Sequence, residues 1–205
     1  MSRRQRLAVT ILCLLAALFA ACFDYSCHSH RQQSTSSQQH AAVSDYERYN
    51  DKTFRVVRVV DGDTIDIDMP DGNDAHTRIR LWGVDTPETK HPKTGVMYFG
   101  PQASEFTSKL TLERQVRVFL DAKKSRDKYN RLLAYIQLPD GKFLNEELLS
   151  EGFAYADVRF KHSYYHKYMQ LQSVAKRAKK GLWESVTYEQ LPQWLQKREP
   201  NLLRK

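Results

Sequence analysis

Hydrophobic and polar positions change their rhythm several times along the chain. Residues 7–23 are apolar apart from Thr10 and follow Arg3, Arg4 and Arg6, the order of a basic stretch and apolar run in an export signal. The end of that run admits several readings. Leu18-Phe19-Ala20-Ala21-Cys22 has the outline of a bacterial lipobox, in which Cys22 would be lipidated and become the new N-terminus. A simple cleaved signal is the second reading. An uncleaved anchor is the third, the run being at the lower edge of what spans a bilayer. All three put the folded part outside the cytoplasm, secreted, periplasmic or membrane-anchored; a buried N-terminal helix would not. Residues 24–50 then lose all periodicity, and from Cys27 to His40 there is no Ile, Leu, Val or Phe. Such a stretch buries too little apolar surface to offset its ordering entropy, so a flexible Ser/Gln/His-rich linker is expected, with a reach of about 30 Å.

Period-two alternation begins beyond residue 50. Phe54 to Val60 is valine-rich, Thr64 to Asp68 alternates, and Thr77 to Trp82 alternates again. Asp61-Gly62 and Pro70-Asp71-Gly72-Asn73 are turn signals between them. Gln115–Leu120 and Leu132–Leu138 are two further predicted strands. Helical spacing appears at Ala103, Phe106, Thr107 and Leu110 after Pro101, and around Leu148 and Leu149, where Asn145 is a candidate cap and Gly152 a stop. A third helix is expected from about Ser163 to Lys180, with Tyr164, Tyr168, Leu171, Val174, Ala175 and Ala178 as its buried stripe. Five short strands with helices between and after them predict an α+β domain, most economically a small closed five-stranded barrel with three helices. The domain is expected over residues 51–184, and residues 185–205 form a C-terminal extension whose Leu191, Trp194 and Leu195 could dock on the barrel or on a partner.

Composition narrows the chemistry. The formal charge of +8 favours an anionic partner: nucleic acid, anionic lipid or an acidic polymer. The three cysteines are Cys13, Cys22 and Cys27, so the folded part has neither a disulfide framework nor a cysteine zinc site. Four clusters remain. Asp61-Gly62-Asp63-Thr64 sets two carboxylates two residues apart; Arg80 lies on the third strand; Asp85-Thr86-Pro87-Glu88 follows it; and Asp127-Lys128-Tyr129-Asn130-Arg131 leads into the fifth strand. Each alone has a plain structural explanation as a turn, a solvated strand residue or a basic loop. Together, Asp63 and Asp85 offer hard oxygen donors that suit Ca²⁺ or Mg²⁺ rather than zinc. Acids of that kind beside guanidinium groups provide what phosphodiester cleavage needs: charge neutralisation at the phosphate and a carboxylate to take a proton from water.

Val60-Asp61-Gly62-Asp63-Thr64, Arg80 to Glu88, Thr89-Lys90-His91-Pro92 and Asp127 to Arg131 together resemble the thermonuclease, or staphylococcal nuclease-like, family; Phe143 to Glu146 and Ala175 to Trp183 extend the match over residues 53–184. The resemblance implies an OB-type five-stranded barrel with three α-helices and a Ca²⁺-dependent nuclease acting on DNA and RNA. It implies that Asp63, Asp85 and the carbonyl of Thr86 bind Ca²⁺, that Glu88 deprotonates the attacking water, and that Arg80 and Arg131 hold the scissile phosphate. Cleavage would fall at the P–O5′ bond and leave 3′-phosphates. Tyr129, Lys93 and Phe160 would contact substrate. Thr94 stands where the family type has a nucleotide-contacting lysine, with Lys93 adjacent, and Val158 and Phe160 replace two tyrosines. The alternatives to an exported nuclease are a catalytically silent nucleic-acid-binding module and a surface adhesin that uses the barrel as scaffold.

Overall fold

The computed structural model describes residues 45–89, 95–122 and 124–203. The apolar run with Cys22, nearly all of the expected linker, and Lys93 and Thr94 lie outside the described residues. Among the described residues there are seven strands: β1 (Lys52–Asp61), β2 (Thr64–Ile67), β3 (Thr77–Leu81), β4 (Val84–Asp85), β5 (Gln115–Leu120), β6 (Leu132–Gln137) and β7 (Tyr155–Ala156). The α-helices that begin and end among the described residues are α1 (Gly100–Thr111), α2 (Leu144–Ser150), α3 (Tyr165–Arg177) and α4 (Gln193–Arg198).

Five of the strands close into a barrel in the order β1-β2-β3-β6-β5. Closure depends on β1, which pairs with β5 through Lys52 to Arg55 and with β2 from Val56 to Asp61. Two register shifts bend it between those partners, the usual effect of a bulge, and closure leaves no bare strand edge. The β3–β6 pair is parallel and all other barrel pairs are antiparallel. Alternation works as expected in β3, where Thr77, Ile79 and Leu81 are buried while Arg78 and Arg80 point outward. In β2 the outward Asp66 is buried as well, because Arg58 and Arg78 fold over its carboxylate.

Beyond the added short strands β4 and β7 and the added helix α4, three details depart from the expected pattern. Helical structure covers residues 45–49, and Tyr49 is fully buried with its hydroxyl 3.0 Å from Thr77 Oγ1, so the last residues assigned to the linker belong to the core. Asn145 is not a cap but a buried residue of α2; it accepts from Ile136 N and donates to the carbonyls of Trp82 and Ala134, joining the helix to two barrel segments. In α3 the buried residues are Tyr168, Gln172 and Ala175, whereas Val174 is 55% exposed. Gln172 is inside because its side-chain oxygen accepts from Ala156 N in β7. The C-terminal extension folds back onto its own domain, burying Leu191 and Leu195 in a second cluster with Tyr155, Ala175, Leu182 and Trp183.

Gly83, between β3 and β4, has φ +80°, and a Cβ there would come within 2.4 Å of the His162 ring. His162 Nδ1 accepts from Tyr164 N at 3.3 Å and lies 3.2 Å from the Tyr135 hydroxyl, an arrangement that suits the neutral ring. Burial lowers its pKa, although Asp121 and Asp157 oppose that shift. A lowered folded pKa means that the stability associated with the neutral ring is present above the unfolded value, about 6.5, and is lost as pH falls below it. The melting temperature of His162→Gln relative to the wild type is therefore expected to rise as pH falls from 7 to 5, because the variant lacks this pH-dependent loss. Parallel slopes in a thermal-melt series would contradict the burial of a neutral ring.

Candidate active site

The acids gather at one end of the barrel because three tight connections converge there. Asp61, Gly62 and Asp63 join β1 to β2. A Cβ on Gly62 would lie 2.8 Å from Thr86 Oγ1 and 3.0 Å from Ala103 Cβ, so glycine is what lets this turn press against both the β4 segment and α1. β4 pairs with β7, setting Asp85 opposite Tyr155. Glu88 is fixed through its backbone, whose carbonyl accepts from Met97 N at 2.9 Å just before α1.

Asp63 is buried, and its Oδ2 accepts from Thr86 N at 2.8 Å while its Oδ1 accepts from the Thr64 hydroxyl at 2.9 Å. Arg80 bridges the two aspartates: its Nη1 is 2.9 Å from Asp63 Oδ2 and its Nη2 donates to Asp85 Oδ1 at 2.5 Å. The same guanidinium donates to the carbonyls of Leu81 and Val84. Asp85 Oδ1 also accepts from Arg159 Nη2 at 3.0 Å, and its Oδ2 accepts from Trp194 Nε1 at 2.7 Å. Asp61 caps its own turn through Gly62 N and receives the Thr89 hydroxyl. Glu88, half-buried, has its pKa pushed up to about 7 by burial, by a hydrogen bond with Asp61, and by the charges of Asp63, Asp61 and Asp85.

The donor set fits a hard cation. Among the described residues, the cations paired with Asp63 and Asp85 are Arg80 and Arg159, and Arg159 is shared with Asp157. Every side chain in the cluster offers oxygen and none offers sulfur or imidazole, the preference of Ca²⁺ or Mg²⁺. In the side-chain positions seen, Arg80 stands between the aspartates, and among the described residues no three acidic, histidine or cysteine side chains converge on one point.

The second predicted arginine lies just before the adjoining strand, β6. Leu133 of β6 is opposite Arg80, so Arg131 enters two residues upstream, about 7 Å along the strand direction. Asp127 holds it: Oδ2 accepts from Arg131 Nε at 2.7 Å, and Oδ1 accepts from the backbone N–H groups of Tyr129 and Arg131. Tyr129 is 67% exposed, with the Arg131 guanidinium 5.4 Å from its ring centre and Lys128 Nζ at 4.8 Å. Phe160 stacks on Trp82 at 5.8 Å, and Lys124 lies beside both rings. Asp63, Arg80, Asp85, Thr86 and Glu88 thus form one cluster. Arg131 with Tyr129, and Phe160, stand on separate neighbouring loops, and Lys93 lies outside the described residues.

Sequence reasoning missed Arg159 and Trp194, both bonded to Asp85. Arg159 sits in a loop with no periodicity, and Trp194 is far away in the chain, so neither carries a local signal.

The family model described as staphylococcal nuclease homologue matches residues 78–185. The chain is 41% identical over 137 residues to a thermonuclease of Staphylococcus hyicus, covering 66% of this chain and 78% of that protein. It is 42% identical over 134 residues to a thermonuclease of Staphylococcus intermedius, covering 65% and 77%. With endonuclease YncB of Bacillus subtilis (strain 168) it shares 35% identity over 133 residues, 64% of this chain and 61% of that protein.

Proposed function

The chain belongs to the staphylococcal nuclease family, and from that premise we propose that it is a nuclease, a hydrolase that cleaves the phosphodiester bonds of DNA and RNA in a Ca²⁺-dependent reaction. The observation that carries this reading is Arg80 bonded at once to Asp63 and Asp85, with Glu88 raised to about 7 beside them. Asp63, Asp85 and the Thr86 carbonyl would hold the ion. When bound, it supplies positive charge next to the phosphate oxygens.

The remaining steps belong to the chain. Glu88 takes a proton from the attacking water; the water oxygen bonds to phosphorus as the P–O5′ bond breaks. The departing O5′ takes up a proton, and a 3′-phosphate remains on the other fragment. Burial and the neighbouring acids hold Glu88 above the ordinary carboxylate range in the ion-free cluster, and a bound cation would favour the ionised form that a general base requires. Arg80 and Arg131 hold the phosphate oxygens, their planar forks matching the anion in a way an ammonium does not. Tyr129 and Lys93 contact the strand, and Phe160 offers a ring for base stacking, worth about 1–3 kcal/mol per base.

A fluorogenic DNA or RNA substrate tests this in CaCl₂ and in chelator. Cleavage with calcium that stops with chelator is expected. Binding without cleavage under both conditions would replace the nuclease with a silent binding module.

Export is proposed from the N-terminal pattern alone, with Cys22 lipidated, the run retained as an anchor, or the signal simply cleaved. Mass spectrometry of the mature N-terminus separates these. A chain with Met1 intact in the cytoplasmic fraction would overturn export.

A further inference from the structure

The segment after the matched family region approaches the acid cluster closely. A 3₁₀ turn, Tyr188–Gln190, opens it with a capping box in which Thr187 and Gln190 bond each other's backbone, and Pro192 leads into α4. Leu191 and Leu195 enter the cluster that also contains Tyr155, the residue opposite Asp85 in the β4–β7 pair. Trp194, between those two leucines, donates its indole N–H to Asp85 Oδ2 at 2.7 Å. Its ring lies 4.4 Å from the Arg159 guanidinium, which itself donates to Asp85 Oδ1.

We propose that this segment is a fixed part of the active site and that Trp194 is a positioning residue, orienting the Asp85 carboxylate for the cation. The proposal rests on the reading of Asp85 as a cation ligand. Three features favour orientation over obstruction. The indole is a donor only and each carboxylate oxygen has two lone pairs, so one hydrogen bond leaves acceptor capacity on Oδ2. A cleft of about 900 Å³ is bordered by Asp85 and Glu88 on one side and by Leu191, Trp194 and Lys197 on the other, so the segment walls the site without filling it. The segment is anchored by buried leucines, unlike a latch that must release easily. Outer-shell hydrogen bonds of this kind set ligand orientation and commonly govern metal affinity by 10–100-fold.

The test uses the full chain with Trp194→Phe, which keeps a ring on Arg159 but removes the donor, and Trp194→His, which restores a ring N–H. Calcium affinity is measured by titration calorimetry, and folding by thermal melting in chelator. The expected result is about 10-fold or greater loss of calcium affinity in Trp194→Phe, recovered in good part by Trp194→His, with little change of melting temperature in chelator. Equal loss in both variants, unchanged affinity, or tighter binding would each overturn the proposal; tighter binding would identify the segment as a competitor of the ion. If Trp194→Phe does not fold, the affinity of Trp194→His decides: near wild type supports orientation through the N–H, and loss overturns it. Asp85→Asn is titrated in parallel. Loss there with no change in Trp194→Phe defeats the positioning role alone, whereas unchanged binding in Asp85→Asn defeats the reading of Asp85 as a ligand.

Discussion

Glu88→Gln is expected to lower the cleavage rate by about 10²–10⁴-fold, the usual contribution of a general base, with substrate binding largely retained. The amide keeps the shape and cannot accept the proton of the attacking water. A second readout comes from the acids around it. Glu88 has a folded pKa of about 7 against an ordinary value of 4.5, caused first by burial and then by Asp61, Asp63 and Asp85. A raised folded pKa means that its contribution to stability is fully present below the unfolded value and is lost as pH rises through about 7. In chelator, the melting temperature of Glu88→Gln relative to the wild type should therefore climb from pH 5 to pH 8. A difference that stays constant over that range would mean that the neighbouring acids do not act on Glu88. Steady-state rates in saturating CaCl₂ check the first claim, and a variant that retains wild-type turnover would remove Glu88 from the chemistry.

The two arginines should separate stability from catalysis. Arg80 is 12% exposed and joins Asp63 and Asp85, themselves 10% and 15% exposed. Arg80→Ala leaves Asp63 without its ion-pair partner and Asp85 with Arg159 alone, and it removes the donor to the Leu81 and Val84 carbonyls. Breaking a buried pair in this way costs about 3–5 kcal/mol. Arg131 is more open to water and pairs with Asp127 four residues away, so Arg131→Ala should cost about 1 kcal/mol or less. Both should lose roughly 10²–10³-fold in turnover, the scale for removing one stabiliser of developing charge. Urea denaturation and kinetics on the same preparations test the contrast. Equal denaturation midpoints for the two variants would deny Arg80 its bridging position, and unchanged turnover in Arg131→Ala would leave that residue as a fastener of its own loop.

What was legible in the chain followed the range of the forces involved. The alternation of Thr77, Ile79 and Leu81 against Arg78 and Arg80 directly shows which residues of β3 face the core, because successive side chains of a strand point to opposite faces. Tyr49 was misplaced because the polar residues around it gave no period, and its burial comes from a barrel wall reached through Thr77. Val174 is apolar yet exposed, so apolarity alone does not mark the inner face of α3; the helix turns Gln172 inward to serve Ala156 N.

The same division holds at the site. By itself the sequence determined the five barrel strands, the order of the acids and arginines, and, through its resemblance, the class of chemistry they suit. Local periodicity and short motifs are properties of neighbouring residues, and they survive without knowledge of the fold. Only the tertiary structure decided that Asp63 and Asp85 share one guanidinium, that Arg131 is held by Asp127 in the loop before β6, and that Trp194 reaches Asp85 across 109 residues. Such contacts depend on barrel register and on how the C-terminal segment packs, and these are set by many weak contacts acting together, of which no single stretch of the chain carries a trace.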